Sequence, residues 1–398
     1  MINFTTAGES HGKGLVTIVS GFPSNLKIPG NYINGHLKRR QGGYGRGLRM
    51  KIESDQVELI SGIRYGKTLG SPISMIIWNK DWENWKDIMS VEPSDSKSEV
   101  ITIPRPGHAD LVGVSKYDYD DIRNSIERSS ARETAARVAA CSVARRFLEE
   151  FGIFVGSYVE SIGGVYSKDQ EKLFEKNLSN LKSLSYNADQ SAVRVIDKIQ
   201  EERIIKKIKS AKKNGDTLGG TFYVIVSGVP VGLGSFTSYD SRLDADLSHA
   251  IMSINAVKGV EIGEGFGSAD KFGSDVHDEI IYRNNLITRK TNRAGGIEGG
   301  ISTGLPIIIR ASMKPISTLM NPISTIDLKS FKKVEARRER SDFVAVPACS
   351  VIGESMTAWV IAKRFLDKFG GDSMDETRDN FNNFNKKMIV RLKRNFKK

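Results

Sequence analysis

The sequence predicts a single α+β domain made of two similar halves, and three observations carry that expectation. Strand-like and helix-like segments are both present, but they do not follow the regular β-α-β alternation of a doubly wound sheet. No Pro/Gly/Ser-rich or low-complexity stretch divides the 398 residues, so residues 1–398 read as one interwoven domain with a basic tail from about 380. A faint repeat also runs through the chain. Ala144 to Gly152 reads ARRFLEEFG and Ala362 to Gly370 reads AKRFLDKFG. Glu127-Arg128-Ser129 lies upstream of the first and Glu339-Arg340-Ser341 upstream of the second. Earlier still, Leu69-Gly70-Ser71-Pro72-Ile73 resembles Thr303-Gly304-Leu305-Pro306-Ile307. Chance similarity among helical and strand-like segments is the alternative to two halves sharing a site near a pseudo-symmetric junction.

The elements follow from local chemistry. Leu15 to Ser20, Gln56 to Gly62, Ile73 to Trp78, Gly219 to Val229 and Pro306 to Ala311 are β-branched runs bounded by Gly or Pro, and read as strands. Ser130 and Glu133 have the S-x-x-E spacing of a capping box and open a helix. That helix runs through Ala135, Ala136, Ala139, Ala140 and Ala144 to a glycine cap at Gly152, and its alanines imply close packing against a neighbour. A second helix is expected from about Arg242 to Gly259 and a third from Ser350 to Phe369, before Gly370-Gly371. Lys80 to Tyr117 reads as a long loop.

Composition bounds the function. A hydrophobic fraction of 39% with 27% charged residues is that of a soluble globular protein. No apolar run reaches the length of a membrane span, and MINFTTAGESHGKG lacks the features of a signal or transit peptide. Two cysteines, Cys141 and Cys349, with no CxxC or clustered Cys/His spacing, suit the reducing cytosol and offer no metal site. Lys and Arg number 59 against 47 Asp and Glu, a formal +12 that favours anionic partners. Part of that excess sits in the tail from Lys386 to Lys398, which reads as a solvated helix or frayed end.

Several motifs place charge where chemistry needs it. Gly62 to Thr68 resembles a phosphate loop but is one residue short, and a strand rather than a helix follows it. Gly42-Gly43-Tyr44-Gly45-Arg46-Gly47 lacks the context of a dinucleotide fingerprint. As an anion loop it is stronger: Arg39, Arg40, Arg46 and Arg49 are interleaved with glycines that let backbone amides approach a ligand. A solvated basic loop or a nucleic-acid contact fits that segment too. Arg105-Pro106-Gly107-His108-Ala109-Asp110 sets a histidine beside an arginine on a rigid turn, which suits an acid catalyst for a leaving phosphate, or a surface histidine with no role. Gly8-Glu9-Ser10-His11-Gly12 places another histidine between glycines. Arg128, Ser129, Ser130 and Arg132 lie at the expected helix start, where free amides attract anions. Gly295-Gly296 and Gly299-Gly300 form a loop whose backbone can abut a flat ligand. HExxH and GxSxG are absent, which sets aside zinc and serine hydrolases.

Taken in order, GESHG, RRQGGYGRGLRM, RPGHAD, ERSSARETAARVA, SINAVKGVEIGEGF, GGIEGGISTG, MKPIST and ERSD resemble the chorismate synthase family from the first twenty residues to about residue 350. The resemblance implies a β-α-β sandwich with helices between antiparallel sheets, assembled as a homotetramer. It implies a lyase of aromatic amino acid biosynthesis, which performs an anti-1,4-elimination of phosphate from 5-enolpyruvylshikimate 3-phosphate. Reduced FMN is required although no net redox change occurs, and NADPH reduces the flavin in some members while others depend on a separate reductase. Carried over by position, His11 protonates or steadies the reduced flavin, His108 donates a proton to the departing phosphate, and Asp342 assists removal of the ring proton together with flavin N5. Arg40, Arg46, Arg49, Arg105, Arg132 and Arg340 match substrate positions. Arg128, Ser129, Ser130, Asn255, Ala256, Gly299, Lys314, Pro315, Ile316, Ser317, Thr318 and Arg340 match FMN positions. Arg40 and Arg46 also match the place of a nicotinamide nucleotide. Thr303 stands where the family more often has Asn, and Phe343 where a small residue or proline is usual. A flavoprotein with net redox chemistry and a basic nucleic-acid-binding protein are the competing readings. No RNP-like aromatic pattern or helix-turn-helix accompanies the arginines, which disfavours the latter.

Overall fold

The computed structural model describes residues 1–47, 54–93, 99–168, 180–283, 286–339 and 341–395; Arg49 and Arg340 lie outside them. Two four-stranded antiparallel sheets form the outer layers. The first holds β1 (Asn3–Ala7), β2 (Gly14–Ser20), β3 (Val57–Leu59) and β4 (Ile73–Trp78) in the order β1-β2-β4-β3. The second holds β5 (Phe154–Ile162), β6 (Gly220–Ser227), β7 (Val257–Ile262) and β8 (Ile307–Met313) in the order β5-β6-β8-β7. Each sheet therefore runs first, second, fourth, third in chain order. The Gly-x-Pro-Ile signals open the equivalent strands β4 and β8, so the repeat in the sequence is a repeat in topology.

The helices of eight residues or more are α1 (Tyr32–Gln41), α2 (Asp110–Tyr117), α3 (Ile122–Ser129), α4 (Thr134–Glu149), α5 (Leu181–Gln190), α6 (Lys198–Lys213), α7 (Leu243–Met252), α8 (Val346–Phe369) and α9 (Met374–Asn395). The two copies of the repeated helix, α4 and α8, pack on each other between the sheets, α4 against the first and α8 against the second. Their sequences explain the fit. Ala135, Ala136, Ala139, Ala140 and Ala144 are at most 1% exposed, so the helix axes can approach closely. Phe147 on α4 meets Phe365 on α8 edge to face at 5.5 Å. Gly353 lets α8 lie on β6, since a Cβ there would stand 2.9 Å from a Phe222 ring carbon. Trp359 of α8 reaches across to Phe4 of the first sheet at 4.6 Å, and one hydrophobic cluster runs from Ile2 to Met374 through both halves.

Several expected boundaries move. Ser130 caps a 3-10 turn at Ala131–Glu133, and the α-helix begins only at Thr134. The capping box does not close: Ser130 accepts from Arg132 N, while the Glu133 carboxylate turns forward to Arg137. Arg128 and Ser129 end α3 rather than start a helix. The helix expected to reach Gly259 stops at Met252, because Val257-Lys258-Gly259 pair with β8 as strand. Helix α8 begins at Val346, with Pro347 in its first turn, where a missing amide costs nothing. Within the expected loop, Asp110–Tyr117 is helical. The tail forms α9, docked through Phe381 and Phe384 on Phe365 and Phe369. Among the described residues no helix is long and apolar enough to cross a membrane.

Candidate active site

The Gly8–Gly12 turn between β1 and β2 is held from below by α3. Glu127, 3% exposed, accepts from His11 N at 2.8 Å and from His11 Nδ1 at 2.9 Å, while its carbonyl accepts from Ser10 N at 3.0 Å. The His11 ring stacks on Trp85 with centroids 3.8 Å apart and planes at 21°. Arg128 ties the same corner to β1, donating to Thr6 O at 2.9 Å and Gly8 O at 3.0 Å. Ser130 Oγ donates to Ser10 Oγ at 3.2 Å.

Beside this turn lies a buried ionic cluster. Asp55 receives both Arg40 and Arg132, and Arg132 also donates to Asn79 Oδ1 at 2.9 Å. Asn79 in turn donates to Gly12 O at 2.7 Å, which joins the cluster to the histidine turn. Arg40 Nε donates to Thr134 Oγ1 and Arg40 Nη2 to Ala131 O. Burial pulls its guanidinium pKa down to about 10, with Arg132 and Arg46 adding to the fall against the opposing pull of Asp55. Arg46 Nε meets Asp342 Oδ2 at 3.2 Å, and Gly47 N donates to Asp342 Oδ1 at 2.5 Å, which fixes the end of the glycine loop on the Asp342 carboxylate.

His108 is placed by its own turn. Its Nδ1 lies 2.5 Å from Asp110 Oδ1, and Asp110 is fully buried at the start of α2. Arg105 donates to Asp110 through N and Nε, both at 2.9 Å, and to Glu339 at 2.8 Å and Thr318 at 3.1 Å. Burial pushes the Asp110 pKa up, but hydrogen bonds from His108 and Arg105 outweigh it and hold the carboxyl below its ordinary range. Lys314 Nζ donates to Gly107 O at 2.5 Å, and a Cβ on Gly107 would meet Ser317 Cβ at 3.6 Å. Pro315 and Ile316 are seated by Gly219 and by Thr217, whose hydroxyl donates to Ile316 O.

The two histidine turns are bridged by Asn255 and Ala256. Asn255 Nδ2 donates to Ser129 O at 3.0 Å, and Lys314 N donates to Ala256 O at 2.9 Å. Ala256 has φ of 66°, a left-handed conformation that costs a residue with a Cβ about 1 kcal/mol. Asn255 Oδ1 is buried with no hydrogen-bond partner. An unsatisfied buried acceptor beside a strained residue is a feature that binding sites concentrate. Gly299 stands apart. It turns the hairpin that abuts the N-terminal end of α7, where Gly300 O accepts from Leu243 N, whereas Asn255 follows the other end of that helix. Ten residues of helix separate them by about 15 Å.

The chain matches the family described as chorismate synthase over residues 2–366. The chain belongs to the chorismate synthase family. It is 51% identical over 393 residues to a chorismate synthase of Chloroherpeton thalassium, covering 97% of this chain and all of that protein. It is 50% identical over 389 residues to one from Aquifex aeolicus, covering 96% of this chain and 97% of that one. Among solved structures it resembles a crystal structure of chorismate synthase, with a TM-score of 0.80, 41% identity and 98% of each chain covered. Family members are lyases that use reduced flavin, and the α+β sandwich expected from the resemblance is the fold observed.

Within this family framework, the structure draws His11, Arg40, Arg46, Arg128, Ser129, Ser130, Arg132 and Asp342 around one corner, and Arg105, His108 and Lys314 to Thr318 around the adjoining one. Arg40, Arg105 and Arg132, expected as substrate ligands, are 5–8% exposed and already hydrogen-bonded to the protein. Their first task is to build the walls. Arg39, which falls in the same basic run, leaves it altogether and pairs with Glu354 of α8. The sequence reading missed Asp55, Asn79, Trp85, Glu127 and Glu339. Only the two glutamates carried a signal, their shared place in the Glu-Arg-Ser repeat.

Proposed function

We propose that this chain converts 5-enolpyruvylshikimate 3-phosphate to chorismate by anti-1,4-elimination of phosphate, with reduced FMN as its cofactor. The observation that carries the reading is the pairing of two histidines, from motifs about a hundred residues apart, with buried carboxylates on either side of the Asn255–Ala256 bridge. The reaction breaks one C–O and one C–H bond and forms one C=C bond, so a proton donor for phosphate and a proton acceptor for the ring are needed, with no net oxidant.

His108 suits the donor. Asp110 fixes its Nδ1, and the Arg105 guanidinium alongside favours a departing anion. Asp342, tethered through Arg46 and Gly47, suits the removal of the ring proton. The residues present fit a flavin: Asn255 Oδ1 offers an unspent acceptor, Lys314 a cation, and Arg128, Ser129, Ser130 and Pro315 to Thr318 the surrounding edge. Reduced flavin, when bound, supplies electron density lent to the substrate and then recovered. His11, on its carboxylate, steadies the charge of the reduced cofactor. Arg46, Arg49 and Arg340 are assigned to the substrate's phosphate and carboxylates, with Arg40, Arg105 and Arg132 supporting them from behind. A direct NADPH contact is assigned to Arg46 rather than Arg40, whose guanidinium nitrogens are committed to Thr134, Asp55 and Ala131.

The whole chain is assigned to one domain, consistent with the shared core. A homotetramer is supported by large apolar side chains left exposed on and near the 280–289 hairpin, among them Phe272 and Tyr282. The test is anaerobic chorismate formation with chemically reduced FMN, repeated with oxidised FMN and NADPH, alone and with a separate flavin reductase. Turnover with reduced FMN is expected, and His108→Ala is expected to lose it by about 10²-fold or more while still binding FMN. FMN binding without product in any arm would replace the lyase with a flavoprotein of net redox chemistry.

A further inference from the structure

We infer that Glu127 is a positioning residue that sets the tautomer and orientation of His11, an inference that rests on the reading of His11 given above. Its two carboxylate oxygens take the His11 backbone N–H at 2.8 Å and the His11 ring through Nδ1 at 2.9 and 3.1 Å. Its own carbonyl holds the preceding residue, Ser10. The carboxylate side chain is 2% exposed and the imidazole 21%, so water competes little for the bond.

A carboxylate can only accept, so Nδ1 must carry hydrogen. The neutral imidazole then has its lone pair on Nε2, and the charged form keeps its second proton there. Trp85 completes the constraint by covering one face of the ring, with Arg123 packed on the indole 5.5 Å from its centroid. Ring plane, rotamer and tautomer are thus set by two side chains that come from neither the histidine's strand nor its turn. A histidine in the wrong tautomer loses its catalytic competence although its position is unchanged, as the carboxylate of hydrolase triads illustrates.

The substitution that isolates this role is Glu127→Gln, which keeps shape and volume. A glutamine has one acceptor and one donor end. With its oxygen on the backbone N–H of His11, its NH2 faces the ring and requires a bare Nδ1, which moves the ring proton to Nε2. Turnover is expected to fall about 10²-fold with KM for the substrate and FMN affinity near those of the unmodified enzyme. The same substitution in a His11→Ala background is expected to cost nothing further, because Glu127 acts through His11. An equal loss in both backgrounds would make Glu127 a fold element and overturn the proposal.

Nitrogen-15 spectra of histidine-labelled holoenzyme give an independent readout, tractable because the chain has five histidines, with His11→Ala providing the assignment. The unmodified protein is expected to show His11 protonated at Nδ1, and Glu127→Gln to move that signal. A bare Nδ1 in the unmodified protein refutes the inference without any variant at position 127. A moved signal with full turnover retained by His11→Ala sustains the positioning and instead removes His11 from the chemistry, which keeps the two failures apart.

Discussion

Replacing Glu354 by glutamine tests the heart of the helix layer. The carboxylate is wholly buried on α8 and accepts from Arg39 at 2.7 and 2.9 Å, Arg145 at 2.6 Å, Arg194 at 3.1 Å and Ser157 Oγ at 2.7 Å. These partners come from α1, α4, the segment before α6 and β5, so one carboxylate ties both halves together. Glutamine removes the charge and aims an NH2 at donors from Arg39 and Arg145. Breaking a buried pair in this way costs about 3–5 kcal/mol. Asp189 still pairs with Arg39 and Arg194, which favours the lower end, about 3 kcal/mol, or a fall in Tm of about 4 °C for a chain of 398 residues.

The pH dependence sharpens that test. Burial raises the Glu354 pKa, but the three arginines overcome it and hold the carboxyl well below its ordinary value of 4.5. A depressed carboxylate contributes stability that is full above the unfolded value and is lost as pH falls through the folded one. Desolvation, with Arg145 and Arg39 adding to it against the opposing pull of Glu354, also holds the half-buried His36 well below its ordinary 6.5, so the unfolded chain takes up its proton first and stability begins to fall below that pH. Urea unfolding of the unmodified chain should therefore weaken from about pH 6.5 and steepen below about pH 4.5, with Glu354→Gln showing a shallower second part, because Asp110 and other depressed carboxylates still titrate there. Unfolding midpoints that stay parallel for the two proteins down to pH 3.5, or a loss under about 1 kcal/mol at pH 7, would refute the ionic account.

Two further outcomes follow from single contacts. Gly353→Ala places a methyl 2.9 Å from the Phe222 ring and 3.1 Å from Val224 Cγ2, so α8 must lift from β6. Calorimetry should show about 1–3 kcal/mol lost with the rate constants of turnover preserved, and an unchanged melting temperature would mean that the layers are looser than described. Asn255→Ala removes the orphaned acceptor and should weaken FMN binding about 5- to 15-fold by fluorescence titration, the worth of one hydrogen bond. Unaltered affinity would assign that oxygen to something other than the flavin.

What the sequence disclosed and what it hid follow one rule. Ile73 to Trp78 was legible as a strand to the residue, because its β-branched run ends on a turn at both sides. Helix α2 was not, since Gly113 and Val114 weaken its pattern. The glycine is there for packing, as a Cβ at 113 would fall 1.9 Å from Ser125 Oγ on α3. The overrun of α7 to Gly259 came from reading a strand signal that only its pairing with β8 reveals. In the site, residues inside motifs were visible, whereas their partners were not: His11 and Glu127 are 116 positions apart, and Arg105 and Thr318 are 213. Nothing local marks Asp55 or Asn79 as the acceptors of two buried arginines. A charged residue discloses the need for a partner, never its address.

The repeat explains why such distant partners meet. Glu127 and Glu339 hold equivalent places, each just ahead of the corner that leads into α4 or α8. Because those helices pack on one another between the sheets, the two corners are brought into the same layer of the molecule. Glu127 binds His11 directly, whereas Glu339 binds Arg105, whose guanidinium lies 3.1 Å from His108 Nδ1. One half of the fold uses its corner to hold a histidine, while the other uses it to hold the arginine beside a histidine. Both histidines rest on a buried carboxylate through Nδ1, Glu127 for His11 and Asp110 for His108, but only His108 also has a guanidinium alongside, that of Arg105 held by Glu339, which gives the two histidines different electrostatic surroundings. Two proton-handling groups with different tasks need that difference.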